Sequence, residues 1–229
     1  MLHLRNLSYH PTVVPDPILK DVDLDLPAQQ LGVIVGPSGS GKSTLMEILA
    51  GLAEPTGGSL FWREQELNAL YLQQLCGIVF QFPERHFCGG TILEELRLGH
   101  PEVNSDRLRE VLAEVGLDAI SLQTPPHDLS GGQQRRLGIA VQLIRQPHIL
   151  LLDEPTAGLD WSSRRQLVTL LDKLKQHWTL LVVSHDAAEL LEIADCAWKI
   201  HGGTVESVPV ATLKIAVTDG LEGGRKDSR

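Results

Sequence analysis

Leu31-Gly32-Val33-Ile34-Val35-Gly36-Pro37-Ser38-Gly39-Ser40-Gly41-Lys42-Ser43-Thr44-Leu45-Met46-Glu47-Ile48-Leu49-Ala50 places an apolar run, a glycine-rich loop and a helical pattern in immediate succession. The run 31–35 reads as a strand buried on both faces, and 42–50 as a helix closed by Gly51. Between them, residues 36–44 fit G-x-x-x-x-G-K-S/T in full. The spacing has a physical reason. Glycines let the backbone bend until successive N–H groups point inward at phosphate oxygens, and the following helix adds its positive N-terminal dipole. Gly36, Pro37, Ser38, Gly39, Ser40, Gly41, Lys42, Ser43 and Thr44 are therefore the expected phosphate cradle. Lys42 is placed to reach the β- and γ-phosphates of a nucleotide, and the Ser43 hydroxyl to ligate Mg²⁺.

A second acidic feature fits the first. His148-Ile149-Leu150-Leu151-Leu152-Asp153-Glu154-Pro155 is an apolar strand running into two carboxylates. A parallel strand covered on both faces carries its ligand groups at its carboxyl end, beside the phosphate loop. Asp153 is then the expected Mg²⁺ holder, and Glu154 the group that orients and deprotonates an attacking water. Taken alone, Asp-Glu-Pro is also ordinary turn chemistry.

Outward from these motifs, short apolar runs alternate with helical patterns, the rhythm of a parallel α/β sheet. Residues 77–80 and 180–183 read as further strands, and 1–26, with alternating residues and several prolines, as antiparallel edge strands. Residues 91–127 read as helix after helix (92–98, then 105–115) without a strand, a helical subdomain inserted in the α/β core and ended by Pro125-Pro126. A new helix is expected to begin near Gly131 or Gly132. The expected fold is thus α/β: a mainly parallel P-loop core, an N-terminal antiparallel β-subdomain and an inserted α-helical subdomain at about 91–128. One domain covers 1–218, and the glycine-rich, charged stretch 219–229 is expected to be disordered.

Leu129-Ser130-Gly131-Gly132-Gln133 opens a helix with a serine and two glycines, a second anion-binding N-terminus. Lying between the phosphate loop and the carboxylate strand, it resembles the LSGGQ motif of ABC (ATP-binding cassette) ATPases. The resemblance spans residues 1 to about 208 and implies a head-to-tail dimer. In it, Ser130, Gly131, Gly132 and Gln133 of one subunit close over the γ-phosphate of ATP held by Lys42 of the other. Further elements fall in the family's order. Tyr9 resembles the aromatic that stacks on adenine. Gln81 matches the Q-loop glutamine, a Mg²⁺ and water ligand that also senses the membrane partner. Ala157-Gly158-Leu159-Asp160 resembles the D-loop, departing from its commoner S-A-L-D wording. His185, in Val183-Ser184-His185-Asp186, matches the switch histidine.

The stretch Val79-Phe80-Gln81-Phe82-Pro83-Glu84-Arg85-His86-Phe87, with Thr91-Ile92-Leu93-Glu94-Glu95 after it, is similar to energy-coupling-factor ATPases, including chloroplast and cyanobacterial members. Their usual F-Q-N-P-(D/E)-x-Q pattern differs at Phe82 and His86. That group serves importers of vitamins or transition-metal ions. The implied partners are transmembrane subunits and a second ATPase subunit, identical or related. The implied location is peripheral, on the cytoplasmic face of a membrane, or the stromal side if the source is a plastid. A soluble iron–sulfur assembly ATPase, also a lone cassette, is the alternative.

Composition excludes several other classes. The 229 residues are 42% hydrophobic with a net charge of −9, a balance that argues against nucleic acid as a partner. Cys76, Cys88 and Cys196 form no C-x-x-C pair, so neither a disulfide framework nor a zinc site is expected, and a reducing compartment fits. The N-terminus has no signal-peptide pattern, and no apolar run is long enough to span a bilayer. The roughly ninety residues between phosphate loop and LSGGQ show no sustained heptads, unlike chromosome-organising relatives. No N-K-x-D motif supports a GTPase.

Overall fold

The computed structural model describes residues 1–215, so the stretch 219–229 expected to lack order lies outside the described residues. Two sheets form around the phosphate loop. The first is antiparallel and takes β1 (Leu2–Tyr9), β2 (Leu19–Leu26), β4 (Gly57–Trp62) and β5 (Gln65–Glu66) in the order β2-β1-β4-β5. The second contains β3 (Leu31–Val35), β6 (Cys76–Val79), β7 (Ile149–Asp153), β8 (Thr179–Ser184), β9 (Cys196–His201) and β10 (Thr204–Ser207). Its order is β10-β9-β3-β8-β7-β6, parallel throughout except for the β9/β10 hairpin. The Lys20 N–H donates to the Gly203 carbonyl at 2.9 Å, tying the edge of one sheet to the other.

The central strands β3, β7 and β8 carry continuous apolar runs because both of their faces are covered. Alternation sorts their side chains. Leu31, Val33, Leu150, Leu152, Leu180 and Val182 enter a core shared with α3 (Ile92–Arg97), α4 (Ser105–Glu114), α5 (Gly131–Ile144) and α6 (Trp161–Leu174). Ile34, Ile149, Leu151, Leu181 and Val183 enter the opposite core, shared with α1 (Lys42–Leu49) and the antiparallel sheet.

Between β6 and β7 the described chain contributes helices and no strand. Thr91 and Asn104 cap α3 and α4 through their side chains, so both helices start where side-chain acceptors precede an apolar pattern. β4, β5, β9 and β10, together with α2 (Ala69–Leu75) and α7 (Ala188–Leu191), had no counterpart in the sequence reading.

Candidate functional site

The phosphate loop leaves the carboxyl end of β3 and turns into α1 through Gly41, whose φ of +103° lies in the left-handed region. A side chain there would also meet Leu19 Cδ2 at 2.9 Å, so glycine is required twice over. β7 and β8 run parallel beside β3, and their carboxyl ends deliver Asp153, Glu154 and Ser184 to the same edge. The result is a cavity of about 440 Å³ lined by the loop residues Ser38, Gly39, Gly41, Lys42, Ser43 and Thr44. Gln81, Glu154, His185 and Ile18 complete its wall.

Lys42 is 6% exposed, and its ammonium donates to the Gly36 and Pro37 carbonyls at 2.8 and 2.9 Å. Its third proton is free to meet an anion, with Glu154 Oε1 3.8 Å away. Glu154 is the first residue past β7 and adopts φ +46°, a strained value for a residue with a side chain. Its carboxylate is held from several directions. Ser184 Oγ donates to Oε2 at 3.0 Å, the His185 main-chain N–H donates to Oε1 at 3.0 Å, and His185 Nδ1 sits 2.8 Å from Oε1. The imidazole itself is half exposed, so it reaches from the carboxylate into the cavity.

Asp153 behaves differently. Burial pushes its carboxyl above the ordinary range, a hydrogen bond from Ser43 pulls it back, the neighbouring Glu154 charge raises it and Lys42 lowers it. Its Oδ1 is buried without a hydrogen-bond partner. An orphaned, desolvated carboxylate oxygen beside a serine hydroxyl is a donor set suited to a small, hard cation. The residues present therefore fit Mg²⁺.

The second glycine motif lies elsewhere. Ser130 caps α5 by accepting from the Gln133 N–H, and the Gln133 side chain accepts from the Ser130 N–H in return, a reciprocal box. Gly132 packs against α6: an added Cβ would stand 2.8 Å from Ser163 Oγ, while Gly131 lies near Leu159. Asp160 caps α6 through the Ser163 N–H and hydroxyl. Ser130 to Gln133 and Asp160 thus form one surface together, and none of them lines the phosphate-loop cavity of its own chain.

A family profile described as "ABC transporter" matches residues 19–157. "ABC transporter I family member 11, chloroplastic" of Arabidopsis thaliana is 42% identical over 220 residues, covering 89% of this chain and 79% of that protein. The chain belongs to the ABC transporter family of ATPases. An energy-coupling factor transporter ATP-binding protein, EcfA2 of Symbiobacterium thermophilum, is 38% identical over 82% of this chain and 69% of its own length. Among solved structures, an ATP-binding cassette dimer in a post-hydrolysis state with ADP and phosphate superposes with a TM-score of 0.78 at 29% identity. That match covers 92% of this chain and 99% of the other. The cbiO1 protein of Clostridium perfringens shares the fold, with a TM-score of 0.86 at 24% identity over 98% and 95% of the two chains.

Against the family's motif order, the structure gathers Lys42, Ser43, Gln81, Asp153, Glu154 and His185 at one edge of the sheet. Tyr9 stands apart. Its half-buried side chain packs on the N-terminal core and lines neither this cavity nor the adjoining groove formed by residues 14–18, 20, 37–40 and 201–203. Ile18, whose N–H donates to the Tyr9 carbonyl at 2.8 Å, lines both. Sequence reasoning missed Ile18 and Ser184. Only Ser184 carries a signal, as the polar residue that ends the apolar run 180–183.

Proposed function

We propose that this chain is the ATP-hydrolysing subunit of an energy-coupling-factor type importer for a vitamin or a transition-metal ion. The convergence of Lys42, Glu154 and His185 on one cavity carries the catalytic part of this reading. Lys42 and the loop N–H groups between Gly36 and Thr44 bind the β- and γ-phosphates, and the site continues past Ile18 into the adjoining groove, which would take the base. Glu154, fixed by Ser184 and His185, orients a water for in-line attack and accepts its proton. Ser43, Gln81 and Asp153 would hold Mg²⁺, which supplies neutralisation of phosphate charge when bound.

The exposed LSGGQ edge, with Asp160 beside it, is positioned for the nucleotide of a second ATPase subunit rather than its own. Similarity to EcfA2 proteins supports a membrane-embedded partner, and similarity to a chloroplast protein admits a stromal site of action. Among the described residues no helix is long and apolar enough to cross a membrane, so attachment falls to that partner.

Affinity purification of the tagged chain from detergent-solubilised membranes of its host tests the assignment. Recovery of a polytopic membrane protein together with a second cassette is expected. Recovery of iron–sulfur assembly factors and no membrane protein would overturn the importer reading while leaving the ATPase intact.

A further inference from the structure

Two departures from the family's usual wording, Phe82 in the Q-loop and Gly158 in the D-loop, meet around a buried guanidinium. Arg135, on α5, is 2% exposed. Its Nη1 donates to the Glu154 carbonyl at 3.4 Å and its Nη2 to the Ala157 carbonyl at 3.2 Å. Its guanidinium carbon lies 5.8 Å from the centre of the Phe82 ring. No carboxylate of the described residues comes within ion-pair distance of it. Burial lowers its pKa, and the charge of Glu84 opposes that shift from further off. With no contacting carboxylate, the guanidinium is held by main-chain carbonyls and the aromatic face, and its removal would leave those two buried carbonyls without their donor.

What Arg135 does touch is the turn that aims the catalytic carboxylate. Three residues around it have left-handed backbones: Glu154 at φ +46°, Phe82 at φ +59° and Gly158 at φ +73°. Gly158 adopts this conformation freely, but for Glu154 and Phe82, which carry side chains, it persists only where the surroundings over-determine it. Phe82 also lies under Arg85, 4.9 Å from its ring centre, and the segment that carries it rests on α5 through Pro83 against Gly138. Gly158 lies beside Phe82, a Cβ built on it standing in ordinary contact at 3.4 Å from Phe82 Cε1, so the D-loop and Q-loop segments are neighbours here.

We propose that Arg135 is a positioning residue for ATP hydrolysis, clamping the 154–158 turn against the Phe82 ring so that a shift of the Gln81 segment moves the Glu154 carboxylate. The inference rests on the assignment of Glu154 as the water-orienting group. It makes the Q-loop and the carboxylate one mechanical unit through α5, rather than through the nucleotide alone.

Steady-state hydrolysis by the full chain with its co-purified partners, equilibrium ATP binding in EDTA and the thermal midpoint test it together. Arg135→Met is expected to lower kcat about tenfold or more with KM and ATP affinity changed by less than about twofold, and to lower the midpoint modestly because two buried carbonyls lose their donor. Arg135→Lys should restore part of kcat, because an ammonium keeps the charge but lacks the planar fork that spans two carbonyls. Phe82→Leu, which removes the ring face, should lower kcat by about threefold. Turnover within about twofold of native in folded Arg135→Met overturns the proposal, as does a parallel loss of ATP affinity. If neither Arg135 variant folds, native turnover in Phe82→Leu overturns it. Lys42→Ala run in the same assay separates the two failures. Undiminished ATP binding there would sink the site assignment itself, whereas lost binding beside a fully active Arg135→Met would remove only the clamp.

Discussion

Glu154 and His185 are joined at two points: the His185 main-chain N–H donates to Glu154 Oε1 at 3.0 Å, and the His185 ring Nδ1 lies 2.8 Å from the same oxygen. The carboxylate is thus oriented by the backbone of the β8 turn and linked by the ring to the cavity it faces. Glu154→Gln keeps the shape but loses the proton acceptor, and its amide cannot accept from all three donors at once. Turnover should fall by about a hundredfold or more with ATP binding retained. An ATP-bound dimer should accumulate, visible by size-exclusion chromatography with multi-angle scattering. Undiminished phosphate release would remove Glu154 as the base.

Lys42 donates to two carbonyls of its own loop, which fixes the ammonium before any phosphate arrives. Lys42→Ala should weaken both ATP and ADP by about tenfold or more, since a charge-assisted contact in a buried setting is lost. Isothermal titration reads this directly, and unchanged affinity would place the phosphates elsewhere.

The parts of this fold legible in the sequence are those where one local rule dominates. β3, β7 and β8 are buried on both faces, so their apolar runs are unbroken, and the loop between β3 and α1 has a fixed glycine pattern. β5 is two exposed residues, and β10 is polar at every position but Val205, so neither writes a periodic signal. Cys196–His201 mixes lysine and histidine with apolar residues because only part of β9 faces the core. At the site, motif residues were legible because phosphate chemistry fixes residue type and spacing. Ile18 and Arg135 were not, because each is brought to the site by tertiary packing alone.

Asp153 offers a test on stability. A carboxyl whose folded pKa lies above its unfolded value costs stability once ionised. The cost is complete above the folded pKa and vanishes as pH falls below the unfolded value. At neutral pH without divalent ions, Asp153→Asn removes it and should raise the melting midpoint, by about 2–4 °C for each kcal/mol recovered in a chain of this size. The same substitution should abolish the added stabilisation that Mg²⁺ gives to the ATP complex. Calorimetry with EDTA and with Mg²⁺ checks both signs. A lower midpoint in EDTA would mean that the Ser43 and Lys42 interactions outweigh desolvation.

Ser130 has two separable roles, a helix cap within its own chain and a contact to nucleotide on the partner subunit. The reciprocal box with Gln133 makes the first concrete. Ser130→Ala removes the cap and should cost about 1 kcal/mol, read as a lower melting midpoint. Ser130→Asp keeps a strong capping acceptor, so its midpoint should stay near native. It also sets a negative charge where the γ-phosphate of the facing subunit is expected. In the Glu154→Gln background, ATP-driven dimerisation should therefore survive Ser130→Ala in weakened form and be lost in Ser130→Asp, although the latter is the more stable chain. Dimer formation by Ser130→Asp equal to that of the parent would show that the start of α5 faces no phosphate, and would leave the motif with its capping role alone.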